Sequence, residues 1–280
     1  MTHQGLVADS LRLVRVSWLY FLHFLSVEIM YRLALIQKLA SESISFAGIT
    51  MFWLAAQKSG AAGLSIPTGA LVGYFLASSL HYITQENELL GNLAADIRMG
   101  KLSASLIRPY PYLLMALARG LALSFIRYLI VGSIVFAIFF LVPVIRQDIV
   151  YEWSWSQFFL YLAVLALSLL IATLLKIVIG LLAFFMTQTW GPELLYSASV
   201  FALSGFSYPV HLAPSWLYDF IVWTPFYFMI GLPNLALVGL IDYNAVMDQA
   251  LNATAVVAYL GLAALLIWRQ GMGKFEAVGI

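Results

Sequence analysis

The sequence predicts an all-α integral membrane protein with six transmembrane helices, an N-terminal interfacial helix and a re-entrant helical hairpin before the last span. Three observations carry that prediction. Hydrophobic residues make up 63% of the 280 and charged residues only 10%, against roughly 45–50% and about 25% in soluble domains. Mean hydropathy is +0.94. Long apolar runs alternate with short polar breaks, and Lys and Arg collect in alternate breaks. The whole chain, 1–280, reads as a single transmembrane domain.

Residues 6–32 mix apolar positions with Arg12, Arg15, His23, Glu28 and Arg32. Ionisable groups are costly at the bilayer centre, so an amphipathic helix lying in the interface fits better, with Trp18, Tyr20 and Tyr31 as anchors. Its polar start, with Asp9 ahead of any apolar run, is unlike a cleaved signal peptide. A first span over 33–57 follows, although Gln37, Lys38 and Glu42 weaken it, and insertion of 13–36 instead is the alternative. Gly60, Gly63 and Pro67 mark a turn. The second span, 67–90, carries Gly69-x-x-x-Gly73, a spacing that lets helices approach closely, here within the subunit. His81 in this span reads as a hydrogen-bonded interior residue rather than a ligand.

The stretch 92–111, NLAADIRMGKLSASLIRPYP, is polar and basic between two apolar blocks. Leu93, Ile97, Leu102, Leu106 and Ile107 keep a rough helical spacing, Gly100 can break a helix, and Pro109 and Pro111 can end one. One or two short helices on the membrane face fit this pattern, and an ordinary basic loop is the alternative.

Beyond it, 112–142 makes the third span and 157–187 the fourth. At 1.5 Å per residue the fourth would measure about 46 Å, so it should tilt or protrude. Lys176 within it, Arg127 in the third span and Glu42 in the first are intramembrane charges. Such groups mark a translocation path or a structural role, and for Lys176 the structural reading, snorkelling or a partner such as Glu42, is favoured here. The fifth span covers 194–209. Pro209, Pro214, Pro225 and Pro233 then cut 210–240 into pieces too short to cross, and 249–268 forms the sixth span.

With six spans, Arg12, Arg15, Arg32, Lys38, Arg98, Lys101, Arg108, Arg119, Arg269 and Lys274 share one side, and only Lys58 and Arg146 sit opposite. The basic side is therefore cytoplasmic, both termini lie there, and 210–240 dips in from the outer face. Irregular backbone at that depth survives only against protein or a water-filled cavity.

A net charge of +1 gives no reason to expect nucleic acid, and the absence of cysteine removes disulfide and thiol chemistry. There is no phosphate loop, since Gly100-Lys101 lacks the upstream glycine and the following hydroxyl. Neither H-E-x-x-H nor G-x-S-x-G occurs. If ATP drives this protein, another chain must hydrolyse it.

Several stretches together resemble the permease subunits of type-2 ABC exporters, in particular a six-span bacterial family of ABC-2 transporter proteins. They are Asp96-Ile97-Arg98-Met99-Gly100-Lys101-Leu102 with Leu106-Ile107-Arg108-Pro109; Ile179–Phe185 with Trp190-Gly191; Tyr208-Pro209, Pro214–Leu217 and Pro225-Phe226; and Trp268–Gly271 with Lys274-Phe275. The resemblance implies that 92–111 holds a cytoplasmic coupling helix. Asp96, Arg98, Gly100, Lys101, Leu102, Arg108 and Pro109 would then face an ATPase, and Pro209, Trp216, Pro225 and Pro233 would shape an outer gate. It further implies two ATP-binding subunits, which hold the ATP and magnesium, and a second permease, identical or related. This chain would carry no cofactor of its own and would sit among the lipids of the bacterial inner membrane. Lys176 stands where the family pattern leads one to expect a neutral or amide residue.

The expected activity is export of a hydrophobic or amphipathic substrate. A membrane-embedded lipid-modifying enzyme is an alternative, but it needs catalytic groups clustered at one depth. A secondary transporter, the other alternative, needs facing charges near the midplane.

Overall fold

The computed structural model describes residues 3–30, 32–60, 66–108, 110–148 and 154–275. The elements are α1 (His3–Met30), α2 (Arg32–Lys58), α3 (Thr68–Gln85), α4 (Leu89–Arg98), α5 (Leu102–Leu106) and α6 (Tyr112–Leu141). They continue with α7 (Pro143–Asp148), α8 (Trp155–Leu181), α9 (Trp190–Leu203), α10 (Ser215–Ile221), α11 (Leu232–Val238) and α12 (Tyr243–Met272). The protein is an all-α membrane protein, and no strand occurs among the described residues.

Among the described residues, four helices are long and apolar enough to cross a bilayer: Ile36–Lys58, Tyr112–Leu141, Trp155–Phe184 and Tyr243–Met272. Tyr112–Leu141 and Trp155–Phe184 are apolar nearly all round because lipid covers the side that protein does not, whereas Ile36–Lys58 carries Lys38 and Glu42. The third span falls where the sequence puts it, and Pro143 starts α7 just beyond it.

α3 is the innermost helix. Fifteen of its eighteen residues are buried, which explains a composition too polar for a lipid-facing span: Ser78, Ser79, His81, Thr84 and Gln85 face protein. At its start the Gly69 N–H donates to Asp148 Oδ2 at 2.7 Å, a carboxylate at the positive end of the helix dipole. A Cβ on Gly69 would stand 2.1 Å from the Val144 carbonyl oxygen, so the small residue is what admits α7. Gly69, the first glycine of the Gly-x-x-x-Gly spacing, therefore serves packing within the subunit.

α3 ends at Gln85, five residues short of the predicted end of the second span, and Glu86, Asn87 and Glu88 separate it from α4. The fifth span is also shorter than predicted. α9 runs Trp190–Leu203, and the chain bends through Gly205, whose φ is +80°. This bend is fastened to α3, because the Tyr74 hydroxyl donates to Gly205 O at 2.8 Å and to Tyr208 O at 3.2 Å.

The segment 210–240 is a helical hairpin. α10 forms one arm, with Trp216 70% and Trp223 82% exposed at its outer side and turn. The returning arm, Tyr227–Val238, is wholly buried. Pro233 does not cut this arm, as the sequence reading expected. A π-helical turn, Tyr227–Gly231, runs into α11, and the proline sits in the first turn of α11. Proline has no N–H to give the carbonyl four residues back. That carbonyl, on Met229, instead accepts from Gln85 Nε2 at 2.6 Å and Ser168 Oγ at 2.7 Å. One core joins α3, α8, the returning arm and α12.

Candidate functional site: the basic elbow and the charged cavity behind it

α4 and α5 form an elbow. On α4, Leu89, Leu90, Leu93, Ala94 and Ile97 share one buried face, as helical periodicity dictates. Asn87 prepares its start, accepting the Leu89 N–H at 3.2 Å. The turn into α5 needs Gly100, which is buried with φ +69°, a conformation unfavourable to any residue with a Cβ. Ser103 closes the turn, its hydroxyl donating to Gly100 O at 2.6 Å.

The elbow is fixed from inside by Leu102, fully buried with Leu93 and Ile97 against Ala116, Leu181 and Ala264. These residues come from α6, α8 and α12, so one cluster joins the elbow to three spans. Tyr112, the first residue of α6, donates its hydroxyl to Asp96 Oδ2 at 3.0 Å. Its ring stacks on Trp268 of α12 at 5.6 Å and 11°. Arg98 is partly buried, with Nη1 3.4 Å from Thr187 O. Arg108 is exposed and donates to the Tyr20 hydroxyl of α1 at 3.0 Å. Outward, the elbow presents Met99, Leu106 and Ile107, 55%, 40% and 86% exposed, beside the exposed Lys101.

Behind the elbow, three cations converge on the end of α3. Lys176 Nζ donates to Gln85 O, and both Lys38 Nζ and Arg127 Nη1 donate to Glu86 O. The last carbonyls of a helix lack intrahelical donors and carry the negative end of its dipole. Cations from α2, α6 and α8 supply both needs. Glu42, the example of a structural partner offered for Lys176, is not the one it meets; Lys176 donates to Gln85 O, and the charges acting on it are Glu86, Lys38 and Arg127. Glu42 stands within electrostatic reach of Lys38 and Glu86. A cavity of about 530 Å³ opens at this point, lined by these cations, by Glu86, Glu88 and Glu193, and by Leu90 and Tyr196.

The chain matches the model of the ABC-2 family transporter proteins over residues 44–279. It belongs to the ABC-2 transporter family. No curated protein matches it. As an ABC-2 permease it is a multi-pass membrane subunit of an ABC transporter and works with an ABC ATP-binding subunit.

In this permease, Asp96, Arg98, Gly100, Lys101, Leu102 and Arg108 all lie on the elbow, but in different roles. Leu102, Gly100 and Asp96 hold it together, Arg98 turns to the Thr187 loop, and Lys101 and Arg108 are exposed. Pro109 lies outside the described residues. Pro209, Trp216, Pro225 and Pro233 belong to the hairpin end, where Pro209 and Pro233 are buried.

Lys38, Gln85 and Glu193 are site residues that sequence reasoning missed. The useful signal was the C-terminal end of α3 itself, since a buried helix end needs donors.

Above the cavity runs a buried chain of hydrogen bonds. His81 Nδ1 lies 2.8 Å from Ala77 O and 2.7 Å from Asn234 Oδ1. Both are acceptors, so Nδ1 carries the proton. Nε2 then accepts from the Tyr161 hydroxyl at 3.3 Å, and Tyr161 accepts from Tyr128. Asn234 Nδ2 donates to Ser78 Oγ at 2.6 Å. His81 is thus an interior hydrogen-bonded residue. Among the described residues no group of three His, Cys, Asp or Glu is placed to hold a metal ion.

Proposed function

We propose that this permease exports a hydrophobic or amphipathic substrate from the cytoplasm or inner leaflet of the bacterial inner membrane. Two ATP-binding subunits, holding ATP and magnesium, dock on the elbow, and a second permease, identical or related, completes the path. Both termini face the cytoplasm.

The observation that carries this reading is the two-sidedness of the elbow. Its outer face offers Met99, Lys101, Leu106 and Ile107, and its inner face drives Leu93, Ile97 and Leu102 between three spans. A packed interior transmits displacement rather than absorbing it. Closure of the ATPase pair therefore moves the elbow as one body, and α6, α8 and α12 tilt with it, changing access to the space between the two permeases. No reactive side chain of this chain is required. The hairpin, with Pro209, Trp216, Pro225 and Pro233, stands at the far end as the outer gate.

Co-purification tests this. The tagged wild-type chain carries an ATP-binding subunit through purification, and Lys101→Glu with Ile107→Asp strips it away while the permease stays folded. Undiminished capture by the double variant contradicts docking on the elbow.

A further inference from the structure

The cavity behind the elbow contains more charge than capping α3 requires. A helix end is worth about half an elementary negative charge, yet Lys38, Arg127 and Lys176 bring three cations to it. Glu86 lies among them, and Glu88 and Glu193 enter the same wall from the starts of α4 and α9. The wall thus holds both signs in equal number around a volume of about 530 Å³, the size of a small-molecule site.

A pure anion meets three carboxylates there and a pure cation meets three ammonium or guanidinium groups, so neither gains a net attraction. A ligand carrying both charges can satisfy both sets. Leu90 and Tyr196 add apolar wall. Glu193 is half-buried, next to the exposed Ser197, Leu194 and Leu195 of α9, which offers a chain a way along the surface of α9.

We propose that this cavity binds the head group of a zwitterionic amphiphile. Its anionic group sits at the end of α3 with Lys38, Arg127 and Lys176, its cationic group at Glu88 and Glu193, and its tail along α9. The inference deepens the export reading by naming a substrate class, and its test needs no ATPase. A lipid and a free amphiphilic cargo share this head-group chemistry.

The test is equilibrium binding of hexylphosphocholine to the full chain in nanodiscs without nucleotide. Hexyl phosphate, hexyltrimethylammonium and chain-free glycerophosphocholine serve as comparators. The zwitterion with its chain is expected to bind at least tenfold more tightly than each comparator. Glu193→Gln, which keeps an acceptor for the Thr189 hydroxyl now 2.7 Å away, and Lys38→Gln, which keeps a donor for Glu86 O, are each expected to weaken binding about tenfold. Equal binding of any comparator, unchanged affinity in Glu193→Gln, or no saturable binding in nanodiscs of anionic lipid overturns the proposal. Undiminished ATPase capture by the double variant in the co-purification experiment leaves this result standing, so the two readings fail separately. If cargo and lipid differ, nanodiscs of anionic lipid free the site for the probe while zwitterionic lipid competes; competition marks the lipid as an occupant and likewise supports the head-group class.

Discussion

The Tyr112 hydroxyl donates to Asp96 at 3.0 Å, fastening the first residue of a transmembrane helix to the elbow that precedes it. Asp96 belongs to the motif by which the chain resembles its family, and Tyr112 also stacks on Trp268 of the last helix. One side chain thus ties the elbow to two spans. Tyr112→Phe keeps the stacking and deletes only the bond to a carboxylate, a loss of about 1.5–3 kcal/mol. The expected outcome is a permease that still captures its ATPase but responds to substrate with weaker ATP hydrolysis. Capture and substrate-stimulated hydrolysis, measured side by side, check it.

Gly100→Ala tests the shape of the turn. At φ +69° an alanine costs about 1–2 kcal/mol, and the turn can relieve that strain only by shifting α5. Thermal unfolding of the purified chain should show a lower midpoint, and ATPase capture should fall with it. Alanine at Gly91, an exposed position within α4 where an added Cβ has no neighbour within 4 Å, should leave capture unchanged and raise the midpoint slightly, since glycine weakens a helix.

Lys176 is 1% exposed and donates to Gln85 O. Lys176→Gln retains a donor, whereas Lys176→Leu leaves a buried carbonyl without it, a loss of about 1–3 kcal/mol. The leucine variant should therefore unfold at a lower temperature than the glutamine variant. The reverse order contradicts a capping role.

The Met229 carbonyl accepts from Gln85 and Ser168 together. Ser168→Ala or Gln85→Met alone leaves it one side-chain partner and should cost about 1 kcal/mol. Gln85 Nε2 also donates to Ser168 Oγ at 2.8 Å, so each single variant already loses that shared bond and removing both should cost less than the sum. A double-mutant cycle on unfolding free energy measures that coupling directly.

Much of this architecture is readable along the chain. Tyr112–Leu141 is apolar because lipid surrounds it, and composition alone places it within a residue. The elbow shows itself through Gly100 and its basic residues, which interrupt an apolar chain. The end of α3 was not readable. Residues 86–88, Glu-Asn-Glu, contain no Gly or Pro to stop a helix, and what stabilises an end there is three cations from helices remote in sequence. The partner of Lys176 was hidden for the same reason, because a backbone carbonyl leaves no mark in the residue letters. Pro233 misled in the opposite direction. It looks like a breaker, yet side chains from α3 and α8 satisfy the carbonyl it leaves.

The chain contains no cysteine, so a single introduced thiol reports without background. Ile107→Cys, at the most exposed apolar position of the elbow, treated with a short bifunctional cross-linker in membranes holding the whole transporter, tests docking most directly. The account predicts a cross-link to the ATP-binding subunit that changes in yield when ATP is bound. Modification of that thiol by a membrane-impermeant reagent from outside intact cells, with no cross-link to the ATPase, would place the elbow on the wrong side of the membrane and contradict it.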